Sequence, residues 1–346
     1  MAIQQSAAVA PDELDGNRTF TWFVPARRRP SEYELYTVGQ QSTPKQWLHV
    51  DWPVHFDDGK PPWSEDSSAI RTSAWFDYRD PAHVWQRPYV STANQDQQAL
   101  ARLLPVLTAD SQTMVSTAWS DGVLGRTYAA WPFVEYGLFL SLAYAVRQAM
   151  SDTVQFSIVF QAVDRLRLLQ DVVLHLDQLH EDAEGFSDAE ARQAWMTDST
   201  LVPIREIIEA IATSEDWVEV LVATTLVFEP LLGYLAKSEL FSRRAPLFGD
   251  RATPTVLAMA LQDTDRHVQS VQALMRLVSA DEIHGPENQA TIRRWIGHWQ
   301  SRCEVAARCF LPILSATGLD EDGCENALNR ALANQRIVAE GVGVTV

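Results

Sequence analysis

Residues 154–179 read VQFSIVFQAVDRLRLLQDVVLHLDQL. Phe156, Val159, Phe160, Val163, Leu166, Leu169, Val172, Val173 and Leu176 recur at spacings of three and four, with further apolar residues between them. A helix patterned in this way leaves little of its circumference for water, so it belongs inside a bundle. Similar segments run over 120–149, 188–213, 216–240, 254–280 and 288–315, and a last one starts at Glu321. Stop and start signals separate them: Gly185 then Ser187, Thr213 and Ser214 before Glu215, Gly249 through Pro254, Gly285 and Pro286, and Gly318 before Asp320. No segment alternates with period two for long enough to make a sheet. The fold class is all-α.

The chain before this region differs in chemistry. Trp22, Trp47, Trp52, Trp63, Trp75, Trp85, Trp119 and Trp131 precede residue 132, interleaved with Pro25, Pro30, Pro44, Pro53, Pro61, Pro62, Pro81 and Pro88. Prolines at that density interrupt helices, and large aromatic side chains on an irregular segment must be buried against something. The expected organisation is a flexible tail over 1–17, an extended arm over 18–95 that wraps its own helices or a partner subunit, and a helical domain over 96–346.

With 346 residues, 46% apolar and 21% charged, the composition is that of a folded soluble protein. A net charge of -17 argues against a phosphate-backbone footprint. Cys303, Cys309 and Cys324 have no C-x-x-C spacing and read as reduced core residues. The N-terminus has neither a basic n-region nor an apolar h-region. The most apolar continuous stretch, Leu138 to Val146, is far short of the roughly 20 residues of a spanning helix. A cytoplasmic chain with neither nucleic acid nor membrane as partner is expected. The motifs G-x-S-x-G, G-x-G-x-x-G and G-x-x-x-x-G-K-[ST] are absent, so nothing supports a serine hydrolase or a nucleotide site.

Charged residues inside the apolar helices carry the most information, because an unpaired buried charge is costly. Glu135 lies in WPFVEYGLFLSLAYAV and Glu229 in ATTLVFEPLLGYLAKS. About 30 residues after each, a second helix carries Asp-x-x-Arg, Asp164 with Arg167 and Asp263 with Arg266. The same pair of helices occurs twice. This has the form of a ferritin-like bundle, in which carboxylates from two helices and Glu-x-x-His motifs from two others hold a di-iron centre.

Here the sequence resembles the hydroxylases of soluble di-iron monooxygenases, whose catalytic subunit carries Asp-Glu-x-Arg-His in each half. Asp164, Leu166 and Arg167 keep that frame, but Arg165 stands where the Glu ligand would be and Leu168 where the His would be. In the second half Asp263, Arg266 and His267 remain, and Thr264 replaces the Glu. Glu229 is one residue out of register, beside Pro230. Glu135, Arg165, Leu168, Glu229, Thr264 and His267 are therefore vestigial ligand positions, a pattern that resembles the small (β) subunit. The segments RTFTWFVPARRRPSEYE and WFDYRDPAHVWQRPYV are similar to those that open such subunits. Arg165 puts a permanent cation where an anionic ligand belongs, so it is expected to pair with Glu135 and staple the bundle in place of metal.

The resemblance implies a chain with no catalytic, cofactor-binding or metal-binding residues of its own. The di-iron centre would sit in a partner α subunit, with a possible γ subunit, a coupling protein and an NADH-dependent flavin and iron–sulfur reductase. The substrate would be a small hydrocarbon, with an alkene favoured over an alkane or an aromatic. Interface residues are expected in the arm: Trp22, Phe23, Trp75, Tyr78, Trp85, Arg87 and Tyr89. A second reading is a di-metal oxidase with ligands drawn from Glu135, Asp171, His175, Glu229, Asp263 and His267, since Asp-x-x-x-His puts both groups on one helix face. A third is a free-standing helical binding protein. His180, His284 and His298 have no partner at ligand spacing, and 180–184 reads as a solvated loop between helices.

Overall fold

The computed structural model describes residues 23, 25–27, 29–41, 59, 64–111, 115–183 and 185–343, and among them there is no strand. After one turn of helix, α1 (Glu32–Tyr36), comes α2 (Gln86–Ser111). Helix α3 (Thr117–Trp119) passes through a π-helical stretch, π1 (Ser120–Tyr128), into α4 (Ala129–Gln148), and α5 follows (Asp152–Asp182). Then come α6 (Ala191–Thr197), α7 (Val202–Ala212) and α8 (Trp217–Leu221), which continues as a second π-helix, π2 (Val222–Ser242). Helices α9 (Ala252–Ser279), α10 (Gly285–Ala316) and α11 (Glu321–Glu340) complete the chain.

The centre is a four-membered bundle. Helix α4 lies along α5, α5 against α9 and α9 against π2, and α8, the start of the same rod as π2, returns to α4. Around it, α2 covers α5 and α9, α6 and α7 cover one side of α4, and α10 and α11 cover π2. One core runs through the bundle, with Trp131, Trp217, Leu138, Phe228 and Phe241 almost wholly removed from water. Each such side chain contributes about 1.5–3 kcal/mol. Caps fix the helix starts. The Ser151 hydroxyl accepts from Val154 N at 3.4 Å and donates to Trp75 O at 2.9 Å. The Asp216 carboxylate accepts from Val218 N and Glu219 N, at 2.9 and 3.2 Å. Gly249 and Gly318 adopt φ of 84° and 83° where the chain turns after π2 and α10, a conformation that costs glycine little.

The elements depart from the sequence reading at four places. Helix α2 begins at Gln86, so the expected boundary at residue 95/96 falls inside a helix; Pro88 is tolerated because it lies in the first turn. The segment 188–213 is two helices, broken where the Asp198 carboxylate accepts from Thr200 N and Oγ1 at 2.9 and 2.7 Å. Residues His180 to Asp182 belong to the last turn of α5 rather than to a loop, with Asp182 Oδ2 accepting from Thr108 Oγ1 at 2.9 Å. Two helical runs, Thr117–Gln148 and Trp217–Phe248, are long and apolar enough to cross a membrane. In the most apolar 18 residues of the second, 89% are buried, which makes it a core rod.

The described part of the arm lies on the chain's own helices. Trp75 packs against Trp217 with ring centroids 5.3 Å apart, and the Tyr78 hydroxyl shares a 2.6 Å hydrogen bond with Ser270 Oγ. Main-chain N–H groups of Ala69 and Arg71 donate to Asp216 at 2.7 Å and Asn288 at 3.0 Å. Nearer the start, Phe23, Tyr33 and Val38 form a small separate cluster with Trp85 packed against it.

Candidate functional site

At the middle of the bundle four charged side chains meet. Arg165 on α5 donates to Glu135 Oε2 at 3.1 Å and to Glu229 Oε2 at 2.5 Å. From π2, Lys237 Nζ lies 3.7 Å from Glu135 Oε1 and also pairs with Glu229 Oε1. Each carboxylate thus faces both cations, and two positive charges balance two negative ones. All four side chains are at most 5% exposed. Two neutral groups join them: Trp131 Nε1 donates to Glu135 Oε1 at 2.8 Å, and Thr264 Oγ1, which donates to Ala260 O at 2.9 Å, lies 3.3 Å from Glu229 Oε1. Burial by itself pushes the Glu229 carboxyl up, but the charges of Arg165 and Lys237 outweigh it and hold the group at about 2. Burial likewise works against the Arg165 guanidinium, and the two glutamates more than offset it.

The winding of π2 contributes to this geometry. Glu229 and Lys237 both lie on π2, whose i→i+5 turns are wider than α turns. A Cβ on Gly233 would come within 2.8 Å of Glu229 Oε1, so glycine is needed where that carboxylate folds back along its own helix.

One turn away lies a second buried network, and it explains the repeated Asp-x-x-Arg. Asp164 accepts from its own helix-mate Arg167 at 2.8 Å and pairs across the bundle with Arg266. Asp263 accepts from its own helix-mate Arg266 at 2.9 Å and lies 3.4 Å from Arg167. The two motifs therefore cross-pair between α5 and α9. His267 Nε2 lies 2.8 Å from Asp164 Oδ2, and the Tyr89 hydroxyl donates to Asp164 Oδ1 at 2.7 Å. Burial lowers the His267 imidazole against the pull of Asp164, whose charge the two arginines already balance. Burial raises Asp164, and His267 and Arg266 bring it below the usual carboxylate range.

The expected vestigial positions Glu135, Arg165, Glu229 and Thr264 are brought together, and the expected Arg165–Glu135 pair forms. Leu168 is buried and His267 belongs to the neighbouring network. The sequence reading missed Lys237 as the second cation and Tyr89 as a donor to Asp164. The signal for Lys237 was available, since it is the one base in the apolar run that carries Glu229.

A di-iron centre requires several anionic oxygen and imidazole ligands converging on one point. The residues here do not fit it: a guanidinium and an ammonium lie between the only two glutamates, with Leu168 and Thr264 at further ligand positions. The alternative set of ligands does not converge either. His175 is bonded to the Tyr128 hydroxyl at 3.0 Å and is held by burial at about 4, while His267 is committed to Asp164. Among the described residues no group of three or more His, Cys, Asp or Glu is placed to hold a metal. His180 lies 3.1 Å from Asp188, and His298 packs edge-on to Trp299.

Of the arm residues expected at an interface, Phe23, Trp75, Tyr78 and Tyr89 are buried within this chain, where its own helices use their aromatic surface. Trp85 is half-buried and stacks on Tyr36 at 4.5 Å, Arg87 is exposed, and Trp22 lies outside the described residues.

Fold and site together define a ferritin-like helical bundle whose central position is filled by its own cations. Residues 52–282 match the Methane/Phenol/Alkene Hydroxylase family, and the chain belongs to that family. It is 29% identical to the propane 2-monooxygenase hydroxylase component small subunit of Rhodococcus jostii, over 86% of this chain and 82% of that protein. It is 30% identical to the methane monooxygenase component A beta chain of Methylococcus capsulatus, over 87% of this chain and 80% of that one. In fold it is similar to a chain of the phenol hydroxylase from Pseudomonas sp. OX1, with a TM-score of 0.78, 17% identity and 92% of each chain covered.

Proposed function

We propose that this chain is the supporting small subunit of the hydroxylase in a multicomponent monooxygenase that oxidises small hydrocarbons. The observation that carries the reading is the buried tetrad, in which Arg165 and Lys237 lie between Glu135 and Glu229 and do the electrostatic work of a metal pair. Each cation sits between two anions, and Trp131 adds a hydrogen bond to Glu135. The chain's contribution is mechanical: it holds a rigid bundle against a larger α subunit. That subunit carries the di-iron centre, activates dioxygen and receives electrons from an NADH-dependent flavin and iron–sulfur reductase under a coupling protein, with a γ subunit as a further component. The assembly works in the cytoplasm. Similarity to small subunits of propane and methane enzymes supports an aliphatic substrate, alkane or alkene.

The test is to produce the chain with and without the large subunit of the same hydroxylase, then measure the mass and iron content of each soluble product. A stable complex in which the iron follows the large subunit is expected. About two irons retained by this chain alone would overturn the reading.

A further inference from the structure

Away from the charged centre, α3 and π1 meet the turn between α6 and α7 and the end of α10, and a pocket of about 190 Å³ lies between them. One wall is fixed in place. The Trp119 indole, 1% exposed, stacks on Phe248 with ring centroids 5.1 Å apart, and its Nε1 donates to Asp250 Oδ2 at 2.9 Å. Val123 and Ile313 add aliphatic surface. At Gly122, which also lines the pocket, a Cβ would meet nothing within 4 Å, so this side is open.

Most polar groups around the pocket are committed to one another. Arg126 Nη2 donates to Asp198 Oδ2 at 2.6 Å and Nη1 lies 3.4 Å from Glu190, while Asp198 Oδ1 accepts from the Thr200 hydroxyl at 2.7 Å. The Thr317 hydroxyl donates to Leu314 O at 2.6 Å and accepts from Arg244 Nε at 3.0 Å. Arg126 is thus engaged by two acids, and both oxygens of Asp198 are taken. Thr127 is the exception. It lines the pocket, it is 2% exposed, and among the described residues its hydroxyl has no hydrogen-bond partner. Serine and threonine in a helix can donate to the carbonyl four residues back, as Thr108, Ser141 and Thr264 do here. Thr127 stands in π1, where the ladder runs i→i+5, and makes no such bond. The Thr224 hydroxyl is also unpartnered but is sealed in the core, whereas Thr127 borders an opening. A buried hydroxyl without a partner is costly, and a ligand with a matching polar group removes that cost.

We infer that this pocket binds a short-chain alcohol, its hydrocarbon body against the Trp119–Phe248 wall and Ile313 and its hydroxyl paired with Thr127. One free hydroxyl calls for one polar group, the aromatic and aliphatic walls call for an apolar body, and the engaged charges disfavour an ionic ligand. A dry cavity of roughly 150 Å³ holds benzene, so this one takes an alcohol of about three to six carbons. The pocket's chemistry stands without the small-subunit reading. The source of the ligand rests on that reading, since hydroxylation of a small alkane releases a molecule of this class.

The test is a fluorine NMR titration of the full chain with a trifluoromethyl-tipped butanol, the matching trifluorobutane and the matching carboxylate. Thr127→Val removes the hydroxyl at nearly constant volume, and Gly122→Leu puts a side chain at the open side. The alcohol should bind saturably and more tightly than the alkane or the carboxylate. Thr127→Val should weaken the alcohol about three- to tenfold and leave the alkane unchanged. Gly122→Leu should weaken both, which keeps the inference testable if Thr127→Val does not fold. No saturable binding, equal affinity for alcohol and alkane, or unchanged alcohol binding in Thr127→Val overturns the inference and leaves the small-subunit reading intact. The titration is repeated on the assembled hydroxylase, where sites in other subunits are common to wild type and variants. The difference between them should persist, and its loss would mean that a partner fills the pocket and would overturn the inference. Failure of the chain to assemble would remove the small-subunit reading alone.

Discussion

Replacing Arg165 by methionine keeps the volume and removes the charge that both glutamates share. Glu135 and Glu229, with side chains 1% and 2% exposed, would be left with Lys237 alone. Removing one partner of a buried ion pair costs about 3–5 kcal/mol, mostly the desolvation of the charge left behind. The loss must depend on pH, and its sign follows from linkage. In the wild type the folded Glu229 is held at about 2, below the ordinary 4.5, so its contribution is complete above 4.5 and fades as pH falls towards 2. Without Arg165 burial dominates, the folded carboxyl rises above its unfolded value, and the variant gains relative stability as pH falls through that raised value. The gap between the two stabilities should therefore narrow on acidification, over a range that ends near the wild-type value of about 2. Urea unfolding followed by far-UV circular dichroism across that range measures the gap. Adding Glu229→Gln to Arg165→Met should recover about 1–3 kcal/mol at pH 7, since the orphaned charge goes with it. A single-variant loss under about 1 kcal/mol at pH 7, or a gap that stays constant on acidification, would refute the staple.

Gly233→Ala should destabilise the chain, although the same change in an ordinary helix interior gains about 0.5–1 kcal/mol. The added Cβ meets Glu229 Oε1 at 2.8 Å and pushes it off its cations, so the melting temperature should fall. Asp216→Ala removes the α8 cap and the acceptor for Ala69 N, costing about 1–2 kcal/mol. Limited proteolysis should then cut more readily near residues 64–71 than in the wild type. Tyr89→Phe keeps the stack on Phe160 at 4.3 Å but removes one donor to Asp164, and should cost about 0.5–1.5 kcal/mol in chemical denaturation.

The helices and the centre of the site were readable because charge in an apolar helix is conspicuous. Glu135, Arg165 and Glu229 stand out against leucine and valine, and the repeated Asp-x-x-Arg gave their register. Lys237 was passed over because it closes an apolar run, and a base near a helix end is ordinary. Tyr89 was assigned outward because proline-rich surroundings hid the start of α2 at Gln86. Its true partner, Asp164, lies 75 residues away, and no local pattern encodes such a pairing. The π winding was equally hidden, because an i→i+5 ladder has no composition signature.

Because both cations of the tetrad are covalently part of the chain, the centre of this bundle is complete once the chain has folded. A metal-built centre couples folding to the supply of ions and the protonation of its ligands. Arg165 and Lys237 uncouple it from both, so the small subunit can reach its final shape under iron starvation or in the presence of a chelator.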